Sequence, residues 1–283
     1  MATKKATKTV KKTTVKKPVA AKKTTKAAAT ITASSIITNI SKTFKAAKKP
    51  SIGSLVAEFV GTFLLVASIF SVQGQPLFVA FALIGIVLII AGVSSAHINP
   101  IVTIGAWVTR KMCSLCAIGF LAAQAIGATA AFLTISAFLE NTKAATIEGL
   151  GSAPAMFHAA TITPGKEMVI LFAELLGAFI IALGVAKAIK SAKAVYAITY
   201  GLATLIALII IGSITSLLLT ESATSLTFLN PAMAIAADAI KWDVWPIAIY
   251  IVAPIVGGIA GFALNDLLSA DTCDCADGKC TCK

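Results

Sequence analysis

The stretches His97-Ile98-Asn99-Pro100-Ile101 and Leu229-Asn230-Pro231-Ala232-Met233 decide the fold of this chain, because each places an Asn-Pro pair directly after a long apolar run. Asn is a favoured N-cap, and Pro at the first helical position loses no hydrogen bond, since that N–H would be unpaired in any case. Each pair therefore predicts the start of a helix, over residues 101–108 in the first stretch and 232–240 in the second. Helices of about ten residues are too short to cross a bilayer, which needs about twenty. The two stretches together predict re-entrant half-helices that line a cavity.

The composition is typical of a polytopic membrane protein. Of the 283 residues, 58% are hydrophobic and only 13% are charged, which excludes an ordinary soluble domain. Small residues, glycine above all, recur within the apolar segments and let transmembrane helices pack closely. Six apolar stretches are each long enough to span a bilayer: residues 54–72, 77–95, 113–139, 167–189, 195–219 and 244–268. We therefore predict an all-α fold of six transmembrane helices and two half-helices.

The sequence also contains an internal repeat. Residues 57–65 (AEFVGTFLL) recur as residues 173–181 (AELLGAFII), and residues 123–127 (AQAIG) are echoed by residues 253–257 (APIVG). The two halves, about 54–139 and 167–268, thus each contain three spans, with one half-helix between the second and the third. Because three is an odd number, the halves have opposite orientations in the membrane. This predicts an inverted repeat whose functional site lies at the interface, near the midplane.

Each half carries a glutamate within its first span, Glu58 and Glu174. A carboxylate inside a membrane is costly and needs a partner. In one interpretation, each carboxylate accepts hydrogen bonds from irregular backbone at the start of a half-helix; in the other, it belongs to a proton relay. His97 likewise has two interpretations, a side chain that holds the loop and a pH-sensitive gate of the pore.

The basic residues predict the orientation of the chain. Residues 1–50, rich in Lys, Thr and Ala, hold 14 of the 24 Lys and Arg residues and have too few apolar side chains to fold alone, so we predict a disordered tail. With the N-terminus inside, the other ten basic residues divide seven to three in favour of the inside. This predicts a plasma-membrane protein with both termini in the cytoplasm. The tail is expected to approach anionic lipid, and the alternative partner is nucleic acid.

Five motifs resemble those of the aquaporin or major intrinsic protein family: AEFVGTFLLV, SSAHINP, AQAIGA, AELLGAFIIA and LNPA, within a predicted channel domain of residues 51–268. The resemblance implies a homotetramer in which every subunit has its own narrow pore. It implies that the amides of Asn99 and Asn230, each followed by its proline (Pro100 and Pro231), point at the permeant. It further implies a passive channel for water or small neutral solutes and no enzymatic activity.

Three features depart from the pattern of that family. In the family, each Asn-Pro pair is usually followed by Ala, and we call these three residues a box. The second box, residues 230–232, keeps the alanine as Ala232. The first box, residues 99–101, has Ile101 instead, which we expect to narrow the waist of the pore. Met233 stands where the outer selectivity filter usually has Arg. The remaining filter positions are also largely apolar and are expected near three residues: Val79, Leu208 and Thr227. Because such a filter has no fixed charge, four kinds of permeant are compatible with it: water, ammonia, small polyols and gases.

All six cysteines fall on the predicted cytoplasmic side, where thiols are expected to be reduced. Cys113 and Cys116 open the third span and are interpreted as small helix residues. The C-terminal tail, residues 269–283, holds four cysteines that either bind Zn²⁺ or Cu⁺ or form a redox-sensitive tail: Cys273, Cys275, Cys280 and Cys282. No other cofactor is expected.

Two further hypotheses for the function stay open beside the channel. One is an ion-coupled transporter, for which Glu58 and Glu174 would supply the protonatable groups. The other is a membrane anchor that presents the basic and cysteine-rich tails as a nucleic-acid tether or a metal sensor. The membrane part contains no set of nucleophile and base that would indicate an enzyme.

Overall fold

The computed structural model describes residues 49–142, 157–219, 224–241, 243–270, 273–276 and 279–282. Within these ranges, it describes only the backbone of residues 140–142, 270, 273–276 and 279–282. Residues 1–48 of the predicted disordered tail lie outside the described residues, so the disorder of this tail stays a prediction. The side chains of the four C-terminal cysteines are also outside them.

The described residues form two halves with the same order of helices. The first half contains α1 (Ile52–Ser71), α2 (Pro76–Ile90), α3 (Pro100–Val108) and α4 (Ser114–Thr142). The second contains α5 (Glu167–Ala188), α6 (Lys193–Thr215), α7 (Pro231–Ala236) and α8 (Val244–Ile247), which continues through a π-helical segment (Ala248–Val252) into α9 (Ala253–Ala270). There are also two short sheets, β1 (His158–Ala159) parallel to β2 (Thr224–Ser225) and β3 (Cys273–Ala276) antiparallel to β4 (Lys279–Cys282).

Within the described residues, five stretches are long and apolar enough to cross a membrane: Ile52–Ser71, Ser114–Leu139, Glu167–Ala188, Lys193–Leu218 and Val244–Ser269. The sixth apolar helix, α2, has only 15 residues and ends at Ile90 instead of the expected residue 95. The reason is a turn in which the N–H groups of Val93 and Ser94 both bond the Ile90 carbonyl, after which Ala96 adopts a φ of 50°. The chain thus enters the re-entrant loop earlier than hydropathy indicates.

The half-helices α3 and α7 begin at the predicted Asn-Pro pairs, but α7 is shorter than expected. It ends at Ala236, because Asp238 takes a φ of 54° and the N–H of Ala239 returns to the Ala234 carbonyl. This is a Schellman arrangement, which here uses Asp where Gly is commoner. The first half-helix, α3, ends in the same way, with Arg110 in the left-handed conformation.

Two pairs of helices cross so closely that their backbones touch. A Cβ atom at Gly127 of α4 would lie 2.5 Å from the carbonyl oxygen of Phe59 on α1. The equivalent atom at Gly257 of α9 would lie 2.2 Å from the carbonyl oxygen of Leu175 on α5. Glycine is therefore required at both crossings, and these positions fix the helices that carry Glu58 and Glu174.

The outer faces of the helices are apolar and exposed. Large side chains such as Phe78, Phe81 and Ile89 of α2 and Ile206 and Ile209 of α6 lie on the surface of the bundle. A soluble monomer rarely exposes so large a contiguous apolar surface, whereas lipid covers it without cost. Together with the five spans, this surface makes the chain a multi-pass membrane protein.

Candidate permeation pathway

The two half-helices start at asparagines that cap them. The Oδ1 atom of Asn99 accepts a hydrogen bond from the N–H of Ile101 at 3.0 Å, and the Oδ1 atom of Asn230 accepts one from the N–H of Ala232, also at 3.0 Å. Both asparagines have extended backbone, as an N-cap requires. Because the oxygen of each carboxamide is used by the cap, its NH₂ group remains available as a donor.

The two Asn-Pro boxes are hydrogen bonded to each other. The Nδ2 atom of Asn99 donates to the carbonyl of Leu229 at 3.0 Å, and that of Asn230 donates to the carbonyl of Ile98 at 3.4 Å. Ile98 and Leu229 both adopt positive φ, 41° and 53°, just before their asparagines. The half-helices therefore meet N-terminus to N-terminus, and each amide keeps a second N–H that is not used in this contact.

Glu58 holds the backbone that leads into the first half-helix. Its carboxylate accepts hydrogen bonds from the N–H groups of His97 at 3.0 Å and Ile98 at 2.7 Å, and from Nε2 of Gln124 at 3.0 Å. The side chain is completely buried, so these donors replace the water that a carboxylate would otherwise require. These are the contacts that the structural interpretation of this acid expects.

Glu174 has the equivalent place in the second half. Its carboxylate accepts hydrogen bonds from the N–H groups of Phe228 and Leu229, the latter at 3.0 Å, and it is also completely buried. In each half, therefore, a glutamate from the first helix satisfies two backbone donors directly before an asparagine. The repeat seen in the sequence thus appears again as a repeated hydrogen-bond pattern.

Sequence reasoning missed the part that Gln124 plays. Its Nε2 atom donates to Glu58 and also to the hydroxyl of Thr103 on α3, at 2.9 Å. It thereby links α1, α3 and α4 at one point. The available signal was a polar side chain in an apolar span, at a position where the second half has Pro254.

His97 lies in the loop directly before the first half-helix. Its side chain is 2% exposed, and its Nδ1 atom is 3.2 Å from the hydroxyl of Thr103. Its carbonyl accepts a hydrogen bond from the hydroxyl of Tyr200 at 2.8 Å. His97 borders a cavity of about 330 Å³ at the end of the bundle that carries Lys111 and Lys193, and it does not border the larger cavity described next.

A central cavity of about 350 Å³ extends from the two boxes toward the opposite end of the bundle. None of the described residues that line it is an Asp, Glu, Lys, Arg or His. Its polar lining consists of hydroxyl and carboxamide groups, among them Gln73, Tyr200 and Thr204. Both box asparagines and all four predicted filter residues border this one cavity: Asn99, Asn230, Val79, Leu208, Thr227 and Met233.

Two of these filter residues are fixed by local hydrogen bonds. The carbonyl of Thr227 accepts a hydrogen bond from the hydroxyl of Ser225 at 2.7 Å, and the same hydroxyl accepts one from the N–H of Thr227 at 3.2 Å. The N–H and the carbonyl of Thr227 are thus both bonded to the Ser225 hydroxyl. Met233 is the third residue of α7, and its N–H bonds to Oδ1 of Asn230 at 3.4 Å.

The expected narrowing of the waist by Ile101 stays a prediction, and Ile101 is not among the described residues that line the central cavity. Ile101 is completely buried and packs against α9, where its Cβ lies 3.0 Å from a Cβ built at Gly258. The missing side chain of Gly258 makes room for the larger residue. Three other box residues are also buried and absent from the cavity lining: Pro100, Pro231 and Ala232.

The cysteines differ in part from expectation. Cys113 and Cys116 form a disulfide instead of two reduced thiols. Cys113 directly precedes α4, and the first turn of that helix brings the two Cα atoms to 5.1 Å, within the range for a disulfide.

Comparison with known proteins agrees with this geometry. The profile of the family described as "Major intrinsic protein" matches residues 72–264. Aquaporin AqpM of Methanothermobacter thermautotrophicus is 30% identical over 196 residues, 68% of this chain and 74% of AqpM. The glycerol uptake facilitator protein-like 6 of Lactiplantibacillus plantarum is 33% identical over 132 residues, which are 41% of this chain and 61% of that protein.

A solved structure has the same fold. The X-ray structure of the aquaglyceroporin from Plasmodium falciparum superposes with a TM-score of 0.59 at 18% sequence identity, covering 76% of this chain and 95% of that chain. The match to the family profile covers well over half of the sequence. The chain therefore belongs to the major intrinsic protein family, whose members are membrane channels for water or small solutes.

Proposed function

We propose that this chain forms a passive, single-file pore for water and small neutral solutes, which pass through the central cavity between Asn99 and Asn230. One observation carries the proposal: both box asparagines and all four predicted filter residues border a single cavity whose described lining has no charged side chain. An ion that entered such a cavity would lose its hydration without gaining a compensating charge, which is costly. Neutral solutes do not meet this barrier.

The waist supplies a second barrier to cations and protons. The N-termini of α3 and α7 face each other there, and the aligned peptide dipoles of each half-helix give its N-terminus a partial positive charge. Such opposed half-helix ends repel cations and orient water in single file. The second N–H of each asparagine would donate a hydrogen bond to the oxygen of the passing molecule.

The filter favours solutes with some apolar surface. Met233 replaces the usual cationic residue, and Val79 and Leu208 border the same cavity, whose polar lining consists of hydroxyl and carboxamide groups. Water loses hydrogen bonds in such a constriction, whereas a small polyol keeps van der Waals contact with its carbon atoms. Small polyols, ammonia and gases are therefore the alternative permeants to water.

The experiment is stopped-flow light scattering on proteoliposomes, with water, glycerol and ammonia as separate permeants. The wild type is compared with Met233→Arg, which puts a cation and several donors into the filter. Met168→Arg is the matched control, because Met168 lies at the start of α5 with 49% of its side chain exposed, outside the cavity. We expect Met233→Arg to lower glycerol permeability relative to water permeability, and Met168→Arg to leave the ratio unchanged.

Three results would refute the proposal. The first is a wild-type protein that conducts none of the three permeants faster than protein-free vesicles. The second is the same change in both variants, which would mean that the charge acts from a distance and not in the pore. The third is uptake that depends on an ion gradient, which would support the coupled transporter. If the chain were only an anchor, deleting residues 1–48 and 271–283 would abolish its function, whereas a channel keeps its flux.

The assembly and orientation are part of the same proposal. The family resemblance implies a homotetramer, and exposed apolar side chains on α1, α2 and α6, such as Val60, Phe78 and Ile206, supply surface for neighbouring subunits or lipid. The seven-to-three distribution of basic residues supports cytoplasmic termini in the plasma membrane. The mass of the detergent-solubilised protein, corrected for bound detergent, tests the first point, and protease accessibility of the N-terminal tail in sealed vesicles tests the second.

A further inference from the structure

The chain ends in a short antiparallel hairpin in which the cysteines pair across the strands. Strand β3 is Cys273–Ala276 and strand β4 is Lys279–Cys282. In their register, Cys273 lies opposite Cys282, and Cys275 lies opposite Cys280. Every cysteine of the C-terminal tail thus faces another cysteine in the ladder.

The sequence itself favours this register. Between the strands stand Asp277 and Gly278, and Asp-Gly is one of the strongest sequence indications of a two-residue hairpin turn. A sequence with this loop length is expected to pair Ala276 with Lys279, because loop length sets the register of a hairpin, and the strands have this pair. Counting outward from this pair along both strands places Cys275 opposite Cys280 and Cys273 opposite Cys282.

The same register places all four cysteines on one face. Alternate residues of a strand share a face, so Cys273 lies on the same face as Cys275, and Cys280 on the same face as Cys282. Residues directly opposite each other have Cβ atoms about 5 Å apart, and residues two apart along a strand are separated by about 7 Å. The four positions therefore occupy one small patch of the hairpin.

A hairpin of this size needs a cross-link to be stable. Two strands of four residues each cannot bury enough apolar surface, and an isolated two-stranded hairpin is marginal in water. Thiolates are soft ligands that select Zn²⁺ and Cu⁺ over the hard cations Mg²⁺ and Ca²⁺. In a small site of this kind, the free energy of metal binding becomes free energy of folding.

We propose that Cys273, Cys275, Cys280 and Cys282 form a thiolate site for a soft closed-shell cation, Zn²⁺ or Cu⁺, and that the bound ion holds the C-terminal hairpin together. The proposal rests on the cytoplasmic position of the C-terminus put forward above, and it requires the four tail thiols to be reduced, whereas Cys113 and Cys116 on the same side form a disulfide. It does not depend on the identity of the permeant. The four cysteines follow the last apolar helix, α9, in the sequence.

The test measures metal bound to the full-length protein in detergent. Reduced protein is incubated anaerobically with Zn²⁺ or with Cu⁺, desalted, and analysed for metal by elemental mass spectrometry. The wild type is compared with a variant in which all four tail cysteines are changed to Ser. A second variant, with Cys113→Ser and Cys116→Ser, is the matched control, because it removes cysteines from the same side of the bundle and leaves the hairpin intact. Co²⁺ replaces Zn²⁺ in a parallel sample, where thiolate-to-cobalt charge-transfer absorption reports the ligands.

We expect about one ion per subunit in the wild type and in the control variant, and a tenth of that or less in the tail variant. Charge-transfer absorption should disappear in the tail variant alone. Equal metal content in the wild type and the tail variant would overturn the proposal, as would loss of metal in the control variant. Formation of disulfides between the paired cysteines in the reduced sample, without bound metal, would also overturn it. Flux through the pore should be the same in the wild type and the tail variant, so failure of this proposal is distinguishable from failure of the channel proposal.

Discussion

Substitution of Gly257 by Ala tests how the helix crossings support the pore. The new Cβ would lie 2.2 Å from the carbonyl oxygen of Leu175 and 3.1 Å from the amide nitrogen of Phe179. Both atoms belong to the backbone of α5, so no side-chain rotation relieves the clash. The helices must separate by about 1 Å to restore an ordinary contact, and overpacking of this kind costs about 1–3 kcal/mol of stability.

The separation should reach the pore, because Leu175 is the neighbour of Glu174. The carboxylate of Glu174 holds the N–H of Leu229 at 3.0 Å, and the Leu229 carbonyl accepts the amide of Asn99. A displacement of about 1 Å takes such bonds beyond the useful range of hydrogen-bond distances. We therefore expect Gly257→Ala to lower both the unfolding temperature and the flux per folded channel.

The assay combines thermal unfolding in detergent with stopped-flow flux, normalised to the amount of reconstituted protein. Gly85→Ala is the matched control, because no atom lies within 4 Å of a Cβ built at Gly85 on α2. Exchange of Gly for Ala in a helix is then expected to be neutral or to stabilise by up to about 1 kcal/mol. The reasoning is wrong if both variants unfold at the same temperature and conduct equally well.

Three other substitutions have graded expected costs, all measurable as shifts in thermal unfolding. Glu174→Ala leaves two buried backbone N–H groups without acceptors and should cost about 2–6 kcal/mol with loss of flux; wild-type stability and flux would contradict this. Lys111→Ala breaks an ion pair with Asp266, whose side chain is 45% exposed, and should cost less than about 1 kcal/mol; a larger loss would indicate that the pair is more strongly coupled to the fold. Asp243→Ala removes the N-cap of α8 and should cost about 1 kcal/mol, whereas Asp243→Asn should restore most of it.

The local rules of helix formation predicted the half-helix starts but not their ends. Asn99 and Asn230 are visible as caps because the cap and its Pro are adjacent in the sequence. The end of α7 depends on Asp238, a residue without the conformational freedom of Gly, in the left-handed conformation. Packing around the turn determines this backbone conformation, and a local sequence pattern carries no information about that packing.

Contacts between distant parts of the chain account for the other differences. Ile101 packs against Gly258, which lies on a helix more than 150 positions later in the sequence. The amide of Asn99 finds its acceptor in the second half, on Leu229. The filter positions are predicted from the resemblance and by counting from the boxes. All four of them border one cavity in the structure: Val79, Leu208, Thr227 and Met233.

The reciprocal bonds between the two boxes make the halves of the molecule dependent on each other. Asn99 donates to a carbonyl of the second half, and Asn230 donates to a carbonyl of the first. Neither half alone contains both the donor and the acceptor of either bond, so one repeat by itself cannot form the hydrogen bonds that join the boxes. A substitution that alters the backbone before one asparagine changes the partner of the other. We therefore expect the two boxes to tolerate change only as a pair, even though they lie in separate repeats of the sequence.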